Sequence, residues 1–232
     1  MNIVRSSDLT QGIEAMATRI SDALNAGRKV LWLVCGGSNI SVAAKAMERI
    51  RIRTAGESIS LLTVGLTDER YGPVGHKDSN WQQFVDANVN LSKVSLMPVL
   101  IGKSLEATVE EYSRSFEMKV KNLRTSGGIV VAMFGIGADG HIAGILPHTE
   151  AAESTHLVAG YTAGPYIRVT LTFKALELVD TAYAFVFSGG STTKESMMKQ
   201  LVDEELDLED QPAQILKKLA EATLYTDIVS SL

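Results

Sequence analysis

Four short apolar runs constrain this chain more than any other feature: Lys29-Val30-Leu31-Trp32-Leu33-Val34, Ile59 to Val64, Ile129-Val130-Val131-Ala132-Met133 and Tyr183 to Phe187. Each runs into a turn rich in glycine or charge, and none alternates with polar residues. Runs of this length read as strands buried on both faces. Between them lie stretches with helical spacing: Leu9, Ile13, Met16, Ile20 and Leu24; then Ile40, Ala43, Ala44 and Met47; then a long amphipathic segment from Ser104 to Leu123. Strands that alternate with helices predict an α/β fold, with a mostly parallel sheet and helices on both faces.

Finer punctuation follows from capping and turn residues. Ser7 or Asp8 is placed to cap the first helix and Gly27 to end it, and Ser79 opens a short helix. Short strands are expected at Val94 to Met97 and Tyr166 to Leu171, a short helix at Phe173 to Val179, and a helix from Thr192 or Thr193. Pro212 opens a last helix, and Thr223-Leu224-Tyr225 reads as a final edge strand. Glycines and prolines break up residues 142–165, which read as an irregular covering loop. No repeat or linker divides the chain, so residues 1–232 are expected to form a single α/β domain.

Three polar motifs follow predicted buried strands: Gly36-Gly37-Ser38, Asp68-Glu69-Arg70 and Asp139-Gly140-His141, with Lys194 beyond the fourth run. In a parallel sheet the carboxyl ends of the strands lie along one edge, so these groups are expected to meet in one crevice. Gly36-Gly37-Ser38 sits between strand and helix, where backbone N–H groups suit a phosphate, though taken alone these residues fit a tight turn capped by Ser38 or Asn39 better. Gly135, Gly137 and Gly140 spell G-x-G-x-x-G, but Pro147 interrupts the helix a dinucleotide site needs, and no following strand ends in the required acid. His141 has an imidazole suited to taking a proton from water, with Asp139 to orient it. The same residues also fit a plain turn, and Asp68-Glu69-Arg70 fits a surface salt-bridge cluster as well as a substrate anchor.

Together these motifs resemble the 6-phosphogluconolactonase family, which is grouped with the glucosamine-6-phosphate deaminases. The resemblance rests on Gly36-Gly37-Ser38; on Thr67-Asp68-Glu69-Arg70 followed by Asp78-Ser79-Asn80; on Gly135 to His141 with Pro147; and on Pro165-Tyr166-Ile167-Arg168-Val169-Thr170-Leu171-Thr172. Deaminases typically carry Asp-Glu-Tyr in place of Asp68-Glu69-Arg70, and a Glu where this chain has Leu146. Departures from the lactonase pattern are Cys35 before the glycine pair, Gly144-Ile145-Leu146-Pro147-His148, and Gly190-Ser191-Thr192-Thr193-Lys194, one residue longer than the family's Gly-x-x-Lys.

The resemblance implies a modified Rossmann-type fold and hydrolysis of 6-phospho-D-glucono-1,5-lactone without cofactor or metal. His141 would be the general base and Asp139 its supporting carboxylate. Arg70 would bind substrate or stabilise the oxyanion, and Asp68 would join in substrate binding. Gly36, Gly37 and Ser38 would receive the phosphate, held by Arg168 and Lys194. Arg168 lies early in its strand, so it reaches the crevice only if that strand runs antiparallel or the segment folds over as a cover. The alternatives are amino-sugar phosphate deamination and a non-catalytic sugar-phosphate sensor. A net charge of −5 argues against a nucleic-acid or anionic-membrane surface, and no apolar run approaches a bilayer span. The single Cys35 excludes an internal disulfide, and a cytoplasmic monomer or homodimer is expected.

Overall fold

The computed structural model describes residues 1–188 and 193–228. The apolar runs become the centre of a seven-stranded sheet. Its strands are β1 (Asn2–Arg5), β2 (Val30–Val34), β3 (Leu62–Leu66), β5 (Ser95–Met97), β6 (Ile129–Gly135), β9 (Thr181–Val186) and β10 (Ala222–Thr226). Their order is β1-β10-β9-β6-β2-β3-β5, and every pairing is parallel. Every residue of β2, β3 and β9 is buried, as strands covered on both faces must be.

The covering helices include α1 (Thr10–Asn25), α2 (Ile40–Arg53) and α4 (Leu105–Thr125). Helix α1 buries Ile13, Met16, Ile20 and Leu24 of the stripe expected from spacing, while Leu9 stands at its N-cap. Helix α4 buries Thr108, Tyr112, Phe116, Val120 and Leu123, and its N-cap Ser104 accepts a hydrogen bond from the Ala107 amide. These faces and the strands form one continuous cluster of buried side chains.

A second sheet, absent from the sequence reading, has the order β4-β8-β7 and is antiparallel throughout. It joins β4 (Asp68–Arg70), β7 (Val158–Ala163) and β8 (Tyr166–Leu171). The expected loop over 142–165 is therefore partly ordered, holding β7 and a short helix α5 (Glu150–Glu153). The glycines that suggested a loop have specific uses. A Cβ on Gly160 would lie 2.7 Å from Val109 Cγ2 of α4, so glycine lets strand and helix approach. Gly164, at φ +58°, turns the β7–β8 hairpin.

Other boundaries shift for local reasons. The strand expected from Ile59 begins at Leu62, because residues Gly56–Leu61 form a 3₁₀ turn in which the Ser60 hydroxyl donates to the Glu57 carbonyl. Strand β10 is interior, and the edge is β1, whose four mostly exposed residues carry little hydrophobic signal. Asp8 receives the Thr10 amide at 2.7 Å beside the start of α1. The remaining elements are α3 (Asn80–Asp86), α6 (Phe173–Leu176), α7 (Thr193–Asp203) and α8 (Ile215–Lys218), with Pro212 opening a 3₁₀ turn before α8. The expected glycine turn at Gly189-Gly190, with Ser191 and Thr192, lies outside the described residues.

Candidate active site

The carboxyl ends of β2, β3, β6 and β9 converge on a cleft of about 260 Å³. It is lined by Gly36, Gly37, Ser38, Asp68, Arg70, His141, Arg168 and Lys194, all singled out from sequence. Asp139 stands behind His141 and does not line the cleft. Arg168 arrives by the route its position demanded: β8 runs antiparallel to β4 and places Arg168 directly opposite Arg70.

The loop after β2 passes from Gly36 in extended backbone into a 3₁₀ turn over Gly37–Asn39 and then α2. A Cβ on Gly36 would lie 1.9 Å from Asn80 Oδ1, so only glycine allows α3 to close against the loop. Cys35 is buried at its base. Burial, with the Asp68 charge second, pushes its thiol up to about 12. It therefore holds its proton at neutral pH and does not serve as a nucleophile.

The segment after β3 is fixed by Glu69, which is fully buried. Its carboxylate accepts from the Ser79 hydroxyl at 2.9 Å and from the amides of Asn80 at 2.6 Å, Trp81 at 3.0 Å and Arg70 at 2.7 Å. Burial raises its pKa and these bonds oppose the rise. Glu69 thus ties β4 to the start of α3 and leaves its neighbours to face the cleft. Asp68 is held by Asn80, whose amide donates to its carbonyl at 2.9 Å and to Oδ2 at 3.3 Å, and by the Thr67 hydroxyl at 3.1 Å. The reading of Asp68-Glu69-Arg70 as a surface salt-bridge cluster fails, since Asp68 and Glu69 are buried and tied by hydrogen bonds.

After β6 the chain makes the turn that carries the Asp–His pair. His141 Nδ1 lies 2.6 Å from Asp139 Oδ1, and the His141 amide donates to the same oxygen at 3.2 Å. The bond from His141 lowers the Asp139 pKa to about 2, against a smaller upward push from burial. With Nδ1 committed to a carboxylate, Nε2 is the nitrogen left to exchange protons. The turn closes through bonds from Gly137 N to His141 O and from Gly140 N to Gly137 O, both 3.0 Å, with Gly140 at φ +81°. From outside, the Ala213 amide donates to Gly140 O at 2.9 Å.

Two residues that sequence reasoning missed as site residues stand at the cleft: Asn39 lines it and Tyr166 lies behind its arginines. Asn39, weighed only as a cap, is buried and packs its amide over Gly135, where a Cβ would lie 2.3 Å from Nδ2. Tyr166 lies beneath both arginines, its ring centroid 4.7 Å from Arg70 Cζ and 5.7 Å from Arg168 Cζ. Lys194 reaches the cleft from α7 and donates to the Phe187 carbonyl at 3.3 Å.

A sequence model described as glucosamine-6-phosphate isomerases/6-phosphogluconolactonase matches residues 6–225. The chain belongs to this family. It is 25% identical over 181 residues to the human 6-phosphogluconolactonase, covering 73% of this chain and 67% of that protein. It is 28% identical over 130 residues to a glucosamine-6-phosphate deaminase of Clostridium perfringens, covering 55% of this chain and 51% of that one. The crystal structure of a 6-phosphogluconolactonase from Shewanella baltica superposes with a TM-score of 0.75 at 18% identity, covering 97% of both chains.

The matched span of the glucosamine-6-phosphate isomerase/6-phosphogluconolactonase family takes in every cleft-lining motif named above. Leu146 packs partly buried against the core and presents no acid.

Proposed function

We propose that this chain hydrolyses 6-phospho-D-glucono-1,5-lactone to 6-phosphogluconate. The observation that carries the reading is the division of one cleft into a base and a cationic end. His141, tied through Nδ1 to a carboxylate held at about 2, shares the cleft with Arg70 and Arg168. The human relative is named as the lactonase.

His141 Nε2 takes a proton from water, and the oxygen attacks the lactone carbonyl carbon. The charge that forms on Nε2–H is stabilised by Asp139, which remains a carboxylate throughout the neutral range. Collapse of the tetrahedral oxyanion breaks the bond to the ring oxygen, which receives the same proton, and His141 returns to its starting state. Arg168, with Lys194 and the Gly36-Gly37-Ser38 loop, binds the phosphate. The register that sets Arg70 opposite Arg168 supports its binding the same anionic group. Asp68 accepts hydrogen bonds from substrate hydroxyls. Leu146 weighs against deamination, which needs a further acid–base group where this side chain offers none.

The deciding assay couples freshly prepared lactone to oxidation of 6-phosphogluconate and subtracts spontaneous ring opening. Turnover above that background is expected, with no ammonia released from glucosamine 6-phosphate. Ammonia release without lactone turnover would replace this reading by the deaminase one. Ligand-induced stabilisation without either turnover would make the protein a sensor.

A further inference from the structure

Arg70 and Arg168 are cross-strand partners in antiparallel register, an arrangement that sets like charges side by side and costs stability unless something offsets it. Among the described residues no ion pair offsets it, and the Nε of each is buried without a hydrogen-bond partner. What both share is the ring of Tyr166, within 4.7 Å of one guanidinium and 5.7 Å of the other. The strand geometry explains the sharing. Tyr166 precedes Arg168 by two residues in β8 and so points to the same face, where it lies diagonal to Arg70 on β4. The β7–β8 hairpin fixes its start by pairing Tyr166 with Ala163.

With the lactonase reading as the basis, in which these arginines hold the substrate's phosphate, we infer that Tyr166 is the positioning residue of the anion site. Its ring holds both guanidiniums in place and selects for the phosphorylated lactone. The ring takes up guanidinium faces, which leaves the in-plane N–H edges as donors. Both arginines line the cleft and Tyr166 does not, so the ring acts through them rather than on the substrate. Two adjacent cations fit a phosphate dianion, whereas an unphosphorylated lactone gains nothing from them.

The test compares Y166F, Y166L and Y166A with wild type and R168A. It measures kcat and KM on phosphorylated and unphosphorylated gluconolactone, and 6-phosphogluconate affinity by calorimetry. Loss of the ring face in Y166L and Y166A should weaken 6-phosphogluconate binding about five- to thirty-fold. KM for the phospholactone should rise in step, kcat should stay near wild type, and kcat/KM on the unphosphorylated lactone should not move. Y166F, which keeps the face, should restore affinity. Y166L keeps bulk at the hairpin, so a fold defect confined to Y166A leaves the question answerable. Equal losses on both lactones, or a Y166F as weak as Y166L, would overturn the positioning role while leaving the lactonase reading intact. Wild type and R168A binding 6-phosphogluconate equally would instead remove the phosphate site on which both rest.

Discussion

Gly137→Ala isolates the geometry of the Asp139–His141 pair from its chemistry, because it adds one methyl group and removes no functional atom. A Cβ at residue 137 would lie 2.1 Å from His141 Nδ1 and 2.6 Å from Asp139 Oδ1. Ordinary contact begins at 3.4 Å, so the imidazole must retreat by about 1.3 Å, the difference between the two distances. That displacement breaks the 2.6 Å bond to Asp139 and moves Nε2 from its place over the cleft. A misplacement of about 1 Å costs on the order of 10²-fold in rate, so kcat should fall by about that factor. The backbone of Gly137 lies outside the left-handed region, so the chain itself accepts alanine. The melting temperature should therefore move by only a few degrees, roughly the effect of 1 kcal/mol. The Arg70–Arg168 end is untouched, and 6-phosphogluconate affinity should hold. Steady-state kinetics on fresh lactone, calorimetry with 6-phosphogluconate and a thermal melt measure the three quantities. A folded G137A with wild-type kcat would show that catalysis does not use the pair in this arrangement.

Three further outcomes follow from the same site. His141→Ala should lower kcat by about 10²–10⁴-fold while 6-phosphogluconate affinity, read by calorimetry, stays within about two-fold. Glu69→Gln turns an all-acceptor group into one whose NH₂ faces donors. It should cost about 1–3 kcal/mol in urea unfolding, with KM rising as Asp68 and Arg70 loosen; an unchanged midpoint would show that the cap does not hold the loop. Asp139 is lowered from 3.8 to about 2 in the fold. Its contribution is therefore complete above the unfolded value and is lost as pH falls through 2. The group is half exposed, so that contribution is below about 1 kcal/mol. Asp139→Asn should narrow the stability gap to wild type between neutral pH and pH 2, and a gap constant with pH would refute the assignment.

The parallel sheet was legible because its strands are buried on both faces and so carry uninterrupted apolar runs. Their carboxyl ends could then be placed on one edge without any coordinates. The small antiparallel sheet was not legible for the opposite reason. β4 is three residues long and charged, and β7 contains Gly160, whose bare Cα serves packing against α4 rather than chain reversal. Glu69 and Tyr166 were invisible as site residues because their roles depend on register. Nothing in the spacing of residues 69 and 79–81 says that one carboxylate collects their donors. Nothing in residues 70 and 166–168 says that two distant arginines share a ring.

That second sheet explains how an acidic protein makes a cationic site. The turns at the edge of the parallel sheet supply glycine backbone and the Asp139–His141 pair, and their side chains bring no arginine or lysine to the cleft. Arg70 and Arg168 come from the short β4 and from β8 laid against it, and α7 adds Lys194. The Asp139–His141 pair and the cationic end therefore stand on different sheets that meet at one cleft. Thr170 links them, since its hydroxyl donates to the Ala143 carbonyl two residues beyond His141 while its backbone pairs with Asp68. The antiparallel pairing of β4 and β8 is what this arrangement requires. A β8 parallel to β4 would lose the register that sets Arg168 opposite Arg70, and His141 would face a cleft without its second arginine.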